Sequence, residues 1–99
     1  MMLYRLTNAA ENDLAEIYEY SLLNFGRKVA DDYLSGLVAA FELIVDNPKL
    51  GYKFQVFRGF RKGKHIVFYH PQSKPIAIVR IMHESMEHHI SQLIAEWQE

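Results

Sequence analysis

The chain has 99 residues, of which 49% are apolar, 23% are charged and none is cysteine. This composition predicts one small globular domain over residues 1–99 and excludes two packed domains, a disulfide framework and a thiolate metal site. A reducing cytoplasm is therefore the expected location, and no membrane partner is expected because the longest apolar run is too short to span a bilayer.

The charged residues are unevenly distributed along the chain. Residues 1–46 carry eight acids and three bases, residues 47–83 carry eight bases and no acid, and residues 84–99 carry four acids and no lysine or arginine. A basic stretch of this density indicates an anionic partner such as nucleic acid or an acidic peptide. The alternative is that these bases form ion pairs with the acidic helices of the same chain.

The first quarter of the chain predicts a strand followed by an amphipathic helix. A short apolar run at residues 3–6 predicts the strand. Asn8 followed by Glu11 matches a capping box and predicts the start of the helix. Apolar residues then recur every three or four positions over residues 14–25, and Gly26 predicts a left-handed end of the helix.

The next part of the chain predicts a second helix and three strands. The helix is expected over about residues 28–45 and antiparallel to the first, and Asn47-Pro48 forbids its continuation. Beyond it the hydrophobic period changes to two, which predicts strands at residues 58–62, 64–69 and 76–82.

The last predicted element is a short C-terminal helix. Its apolar side is expected to hold Met86, Ile90, Leu93, Ile94 and Trp97. The order of elements predicts an α+β domain in which an N-terminal strand, an antiparallel helical hairpin and a short C-terminal helix accompany a small twisted, mainly antiparallel β-sheet.

Several short motifs occur along the chain. Each is weak evidence for a protein family by itself, but their order and spacing together are more specific. In chain order they are the Leu14-Ile17-Tyr18 helix face, Asn47-Pro48 with Gly51, Gly59-Phe60-Arg61-Lys62, His65-Ile66-Val67-Phe68-Tyr69 and Val79-Arg80-Ile81-Met82-His83. Together they resemble ParE-type toxins of the RelE/ParE toxin–antitoxin superfamily. The resemblance implies the same fold, the toxin role in a type II pair, and a part in growth arrest and plasmid stabilisation.

The superfamily contains two activities. ParE-like members inhibit DNA gyrase, and RelE-like members cleave messenger RNA on the ribosome. RelE-like enzymes tend to use a C-terminal tyrosine or histidine, and this chain has no tyrosine after Tyr69. The resemblance therefore implies a gyrase inhibitor that is not an enzyme and needs no cofactor. A ribosome-dependent mRNA endoribonuclease with His65, Arg80 and His83 as catalytic residues is one alternative. A non-toxic antitoxin-binding member is another, since residues 84–87 are acidic where relatives are often basic.

The predicted surface for the antitoxin or the target is a set of mostly basic residues. Its members are Arg58, Arg61, Lys62, Lys64, His65, Tyr69, Arg80 and His83. His65 and Tyr69 lie four apart on a strand and, with Arg61, are predicted to form a polar patch, unless Tyr69 is a core aromatic. Arg80 interrupts an apolar strand, so it requires a partner, and an acid of the first or second helix is one candidate.

The resemblance implies two protein partners, DNA gyrase and a cognate antitoxin. The antitoxin is expected to lay an extended piece near residues 58–64 and a helix across the helical hairpin. No helix of the chain is basic, so sequence-specific DNA binding is expected only through the antitoxin complex. His83 and His88 are five positions apart, which does not fit the zinc-protease spacing, and no metal site is expected.

Overall fold

A computed structural model describes the backbone of residues 4–94 and the side chains of residues 4–92. Within this range the elements in chain order are β1 (Tyr4–Leu6), α1 (Asn8–Phe25), α2 (Arg27–Asp46), β2 (Tyr52–Phe54), β3 (Phe57–Lys62), β4 (His65–His70), β5 (Ile76–His83), a 3₁₀ helix (Glu84–His89) and α3 (Ile90–Ile94). The predicted α+β class with a helical hairpin is confirmed. None of these helices combines the length and the apolar character needed to cross a bilayer.

The five strands form one mixed sheet in the order β1-β5-β4-β3-β2. β1 runs parallel to β5, and every other neighbouring pair is antiparallel. β1 pairs only with residues 76–78 of β5. On the edge of β5 that faces away from β4, residues 79–83 therefore have no strand partner within residues 4–94.

The two central strands, β4 and β5, are covered on both faces. On one face Leu37 and Phe41 of α2 pack with Ile78 in a fully buried cluster. On the opposite face Phe68 packs with Ile90, the first residue of α3. This double burial explains the nearly continuous apolar sequence of both strands. The three predicted strands are confirmed to within one residue at each end, whereas β2, with only three residues, was not predicted.

The helical hairpin turns at a single residue, Gly26, whose φ of +89° is in the region that favours glycine. α2 then runs from Arg27 to Asp46 and ends immediately before Asn47-Pro48. The position of the turn and the end of α2 are as predicted, but Gly26, with a ψ of 172°, does not adopt the predicted left-handed helical conformation.

The start of α1 differs from the prediction, because Thr7 and not Asn8 is the N-cap. The Thr7 hydroxyl accepts a hydrogen bond from the Ala10 amide at 3.1 Å and donates to the Val79 carbonyl at 3.0 Å. Its amide also donates to the Ile78 carbonyl. Thr7 is buried between β1 and the helix, while Asn8 is exposed. Burial next to β5 thus decides which of two suitable caps is used.

Substitution of Thr7 is expected to cost more stability than substitution of Asn8. Thr7→Ala removes the cap and leaves the buried Val79 carbonyl without its donor, so the free energy of unfolding should fall by about 1–2 kcal/mol in urea denaturation. Asn8→Ala should change it by less than about 0.5 kcal/mol, and Thr7→Ser should retain most of the stability. A greater loss for Asn8→Ala than for Thr7→Ala would contradict the assignment.

The C-terminal segment is also different from the predicted single amphipathic helix. The 3₁₀ helix separates β5 from α3, so Met86 is 40% exposed while Ile90 is buried on the far face of the sheet. The prediction that these two residues share one side is wrong, since the 3₁₀ turn rotates them apart. The side chains of Leu93 and Ile94, and all of Trp97, lie outside the described residues.

Candidate functional site

An open groove of about 740 Å³ lies between the helical hairpin and the end of β5. On the helical wall, Tyr20, Phe25 and Val29 are 63%, 61% and 47% exposed. On the opposite wall, Met86 contributes further exposed apolar surface, whereas Ile81 is buried. Exposed apolar residues gathered in one concave surface indicate a site for a binding partner.

Acidic and basic groups line opposite walls of the groove. Asp13 and Glu16 of α1 line the helical wall, whereas Lys64, His65 and His83 line the sheet side. Lys64 makes no ion pair with a carboxylate of residues 4–92. The groove therefore presents hydrogen-bond donors and positive charge on the sheet side, opposite carboxylates on α1.

Arg80 is held at the groove by Asp13 of α1. The Asp13 carboxylate accepts from Arg80 Nε at 2.7 Å and from a terminal nitrogen at 3.0 Å, and it also accepts from the Ile81 amide at 3.0 Å. The Arg80 and Asp13 side chains are only 24% and 13% exposed, and the Asp13 hydrogen bond raises the pKa of Arg80. The expectation that Arg80 pairs with an acid of a helix is confirmed.

Asp13 itself was not among the predicted site residues, although the sequence contained a signal for it. It lies four positions before Ile17 and seven before Tyr20, on the face of α1 that borders the groove. An acid on the apolar stripe of a helix faces the protein and requires a partner there.

Tyr33 of α2 positions His65 and the turn between β3 and β4. Its hydroxyl lies 2.6 Å from His65 Nδ1 and 3.2 Å from the Lys62 carbonyl, and it accepts from the Lys64 amide at 3.1 Å. His65 is half-buried, and burial together with the nearby His83 lowers its pKa below 6.5. Burial also raises the pKa of the Tyr33 hydroxyl. His65 is therefore neutral near pH 7.

His83 stands directly opposite His65 across the β4–β5 pair, with the ring centroids 5.4 Å apart. Its Nδ1 accepts from the Ser85 amide at 3.1 Å, which caps the 3₁₀ helix. No three histidine, aspartate or glutamate side chains among residues 4–92 come close enough together to hold a metal ion.

The predicted polar patch of Arg61, His65 and Tyr69 does not exist. Tyr69 is fully buried, and its hydroxyl donates to the Pro48 carbonyl at 2.8 Å and accepts from the Gly51 amide at 3.0 Å, so it is a core aromatic. Arg61 pairs with Ile66 in the β3–β4 register and lies on the face opposite the groove.

The other basic residues of the predicted surface are separated by the fold. Arg61 forms ion pairs with Glu84 at 3.3 Å and Glu87 at 2.8 Å. Glu87 also accepts from the Tyr52 hydroxyl at 2.9 Å, and burial, together with this bond, raises the pKa of Tyr52 to about 12. Arg58 donates to two backbone carbonyls, and Lys62 lies against α2 at Gly36. The groove thus brings together Lys64, His65, Arg80 and His83, and the remaining four predicted residues lie elsewhere.

Comparison with known proteins places this architecture within the RelE/ParE superfamily. Residues 4–88 match the family model described as ParE toxin of type II toxin-antitoxin system, parDE. Toxin ParE1 of Caulobacter vibrioides is 37% identical over 87 residues, which cover 84% of this chain and 90% of the relative. Toxin ParE1 of Mycobacterium tuberculosis is 33% identical over 89 residues, covering 85% and 91% of the two chains.

A solved structure has the same fold. The chain of the "Chromosomal ParDE TA system from P. aeruginosa" superimposes with a TM-score of 0.70 at 22% identity, covering 84% of this chain and 96% of that one. The protein belongs to the ParE toxin family of type II toxin–antitoxin systems, and the predicted resemblance is confirmed.

Proposed function

We propose that this ParE-family toxin acts in the cytoplasm by binding and inhibiting DNA gyrase, and that a cognate antitoxin neutralises it by binding in the groove. The observation that carries the proposal is the open groove with exposed Tyr20, Phe25 and Val29 on one wall. Apolar grooves of this kind accept a partner's helix or an extended segment. The structural neighbour from P. aeruginosa is titled as a ParDE toxin–antitoxin system, which supports an antitoxin partner.

The groove is a better position for the antitoxin than the hairpin of residues 58–64. Arg58 and Arg61 of that hairpin are already engaged by carbonyls and carboxylates of the same chain. An acidic partner would have to replace these contacts there, whereas Lys64 in the groove has no carboxylate partner among residues 4–92.

The geometry favours inhibition by binding over ribonuclease catalysis. Cleavage of RNA through its 2′-hydroxyl needs a base, an acid and cations that stabilise the transition state. Arg80 is bound through two nitrogens to Asp13, whose carboxylate offsets its positive charge and reduces its ability to stabilise a phosphate transition state. The ribonuclease is kept as a second candidate because two titratable groups, the Tyr33 hydroxyl and His65 Nδ1, lie 2.6 Å apart beside the groove.

A test with purified protein distinguishes the candidates. Supercoiling by gyrase should be inhibited with cleaved DNA trapped, and ribosome-bound messenger RNA should remain intact. Cut message with unaffected supercoiling would establish the ribonuclease instead. The absence of both effects would indicate a non-toxic antitoxin-binding member. The ion pairs of Arg61 with Glu84 and Glu87 provide a rationale for that outcome.

Removal of the exposed aromatic groups of the groove should weaken antitoxin binding. The double variant Tyr20→Ala/Phe25→Ala is expected to bind the antitoxin encoded in the adjacent reading frame about thirtyfold more weakly, because aromatic anchors in an interface are worth about 2 kcal/mol. Isothermal titration calorimetry measures the dissociation constant.

Leu23→Ala is the matched control for that experiment. Leu23 is 77% exposed on the same helix but does not line the groove. Its affinity should stay within about twofold of the wild type, as expected for a residue outside the interface. Equal losses in the control and the double variant would place the antitoxin elsewhere.

A further inference from the structure

The two histidines of the groove have the same ring atom, Nε2, left to donate to a ligand in their protonated form. The Tyr33 hydroxyl accepts from the Lys64 amide, and it lies 2.6 Å from His65 Nδ1 and 3.2 Å from the Lys62 carbonyl, so Nδ1 of His65 is engaged by Tyr33. His83 Nδ1 accepts from the Ser85 amide. Nδ1 of each ring is therefore engaged by a neighbour within the chain, and Nε2 is the nitrogen that donates to a ligand when the imidazole is protonated.

These two donors lie side by side in the groove. His65 and His83 are paired residues of β4 and β5 with ring centroids 5.4 Å apart, and both line the groove together with Lys64. Lys64 and the two protonated imidazoles offer N–H donors and no acceptor. The chemistry that matches them is an anion with more than one acceptor oxygen.

The other charged groups around the histidines are already paired or lie on the opposite wall. Asp13 of α1 is bound to Arg80, and Glu84 after β5 is bound to Arg61. Glu16 lines the α1 wall, opposite Lys64 and the histidines. A carboxylate entering the groove is therefore attracted to the sheet side and repelled from the α1 side.

We propose that Lys64, His65 and His83 form a carboxylate-binding subsite, which receives an aspartate or glutamate side chain of the antitoxin. This inference rests on the proposed function of the groove. It adds the chemical group that is recognised and a dependence of binding on pH.

Binding at this subsite is linked to protonation. In the free protein, burial of His65 and its proximity to His83 lower the pKa of His65, so the ring is neutral near pH 7. A bound carboxylate favours the charged imidazolium and raises that pKa, so protons are taken up when the complex forms. Affinity should therefore increase as pH falls, by up to about tenfold per pH unit for one fully linked proton.

The first experiment tests the subsite with acetate and needs no antitoxin. NMR titration of the histidine rings in the full chain is compared in sodium acetate and in sodium chloride at equal ionic strength. The pKa of His65 should be higher in acetate, and acetate should shift the ring resonances of His65 and His83 but not those of His88 and His89, which lie outside the groove. An equal pKa of His65 in the two salts would overturn the proposal.

The second experiment measures proton uptake by the complex. Calorimetric titration of antitoxin into toxin, in buffers of different ionisation enthalpy near pH 7, should show net uptake of protons. His65→Gln/His83→Asn should abolish most of this uptake and flatten the dependence of affinity on pH, and asparagine at position 83 retains a capping side chain. His88→Gln is the control and should behave as the wild type.

The role of the ammonium group is tested by Lys64→Gln. Affinity should fall about thirtyfold, a central value for loss of a charge-assisted hydrogen bond, and Lys53→Gln on exposed β2 should have little effect. Antitoxin binding that is sensitive to Tyr20→Ala/Phe25→Ala but shows no proton uptake would overturn the subsite and leave the groove function intact. A failure of the antitoxin to bind at all would instead overturn the proposed function.

Discussion

Asp13→Ala is expected to lower the free energy of unfolding by about 2–4 kcal/mol, since it leaves a mostly buried arginine without its counter-charge. The substitution removes all three hydrogen bonds of the carboxylate, two from Arg80 and one from the Ile81 amide. These bonds join α1 to β5, so their loss also loosens the helical wall of the groove. Chemical denaturation measures the effect, and the midpoint of thermal unfolding should fall by roughly 10–20 °C for a domain of this size.

Glu16→Ala provides the matched control for this prediction. Glu16 is an exposed acid on the same helix, three residues further on; its charge acts on Arg80 through space, but it makes no ion pair within residues 4–92. Its effect should be within about 0.5 kcal/mol.

The double variant Asp13→Leu/Arg80→Met should recover part of the lost stability, because an apolar pair avoids an unpaired buried charge. A loss below about 1 kcal/mol for Asp13→Ala would show that the pair is not structurally important.

Gly51→Ala is the second substitution with a large expected effect. A methyl group at Gly51 would lie 2.5 Å from the carbonyl oxygen and 2.8 Å from the carbonyl carbon of Gly59 on β3. Backbone atoms of a paired strand have no room to move away. The same residue donates its amide to Tyr69 and accepts from Arg58 at 2.6 Å, so any displacement also breaks these two hydrogen bonds. The free energy of unfolding should fall by about 3 kcal/mol.

Gly36→Ala tests whether this loss is specific to the close backbone contact. The nearest atom to a methyl group at Gly36 is Cε of the Lys62 side chain, at 3.2 Å, and a long flexible side chain can move. Alanine in a helix interior is favoured over glycine by roughly 0.5–1 kcal/mol, so this variant should be neutral or more stable than the wild type. Both variants are compared by urea denaturation, and equal destabilisation would contradict the explanation.

The sequence predicts the helices and the central strands well because their signals are local. The apolar spacing of α1 and α2, Gly26 at the turn and Pro48 after α2 each act within a few residues. The choice of Thr7 as the cap depends on a carbonyl of β5 that is distant in sequence. No local pattern contains that information.

The candidate site was only partly predictable for a similar reason. Arg61 and His65 were expected on one face, but the β3–β4 hairpin pairs Lys62 with His65, which puts Arg61 beside Ile66 and on the other face. The partners of Arg61 come from the segment after β5, and that segment could be positioned only by the three-dimensional fold. The sequence shows which residues are basic, whereas burial and strand register determine which of them can contact a partner.

The 3₁₀ helix after β5 contacts both sides of the sheet within four residues. Met86 borders the groove, and its neighbours Glu84 and Glu87 hold Arg61 on the far side. A rotation of this turn that withdrew Met86 from the groove would also carry the two carboxylates away from Arg61. A change in the position of this turn would therefore alter both surfaces of the sheet together.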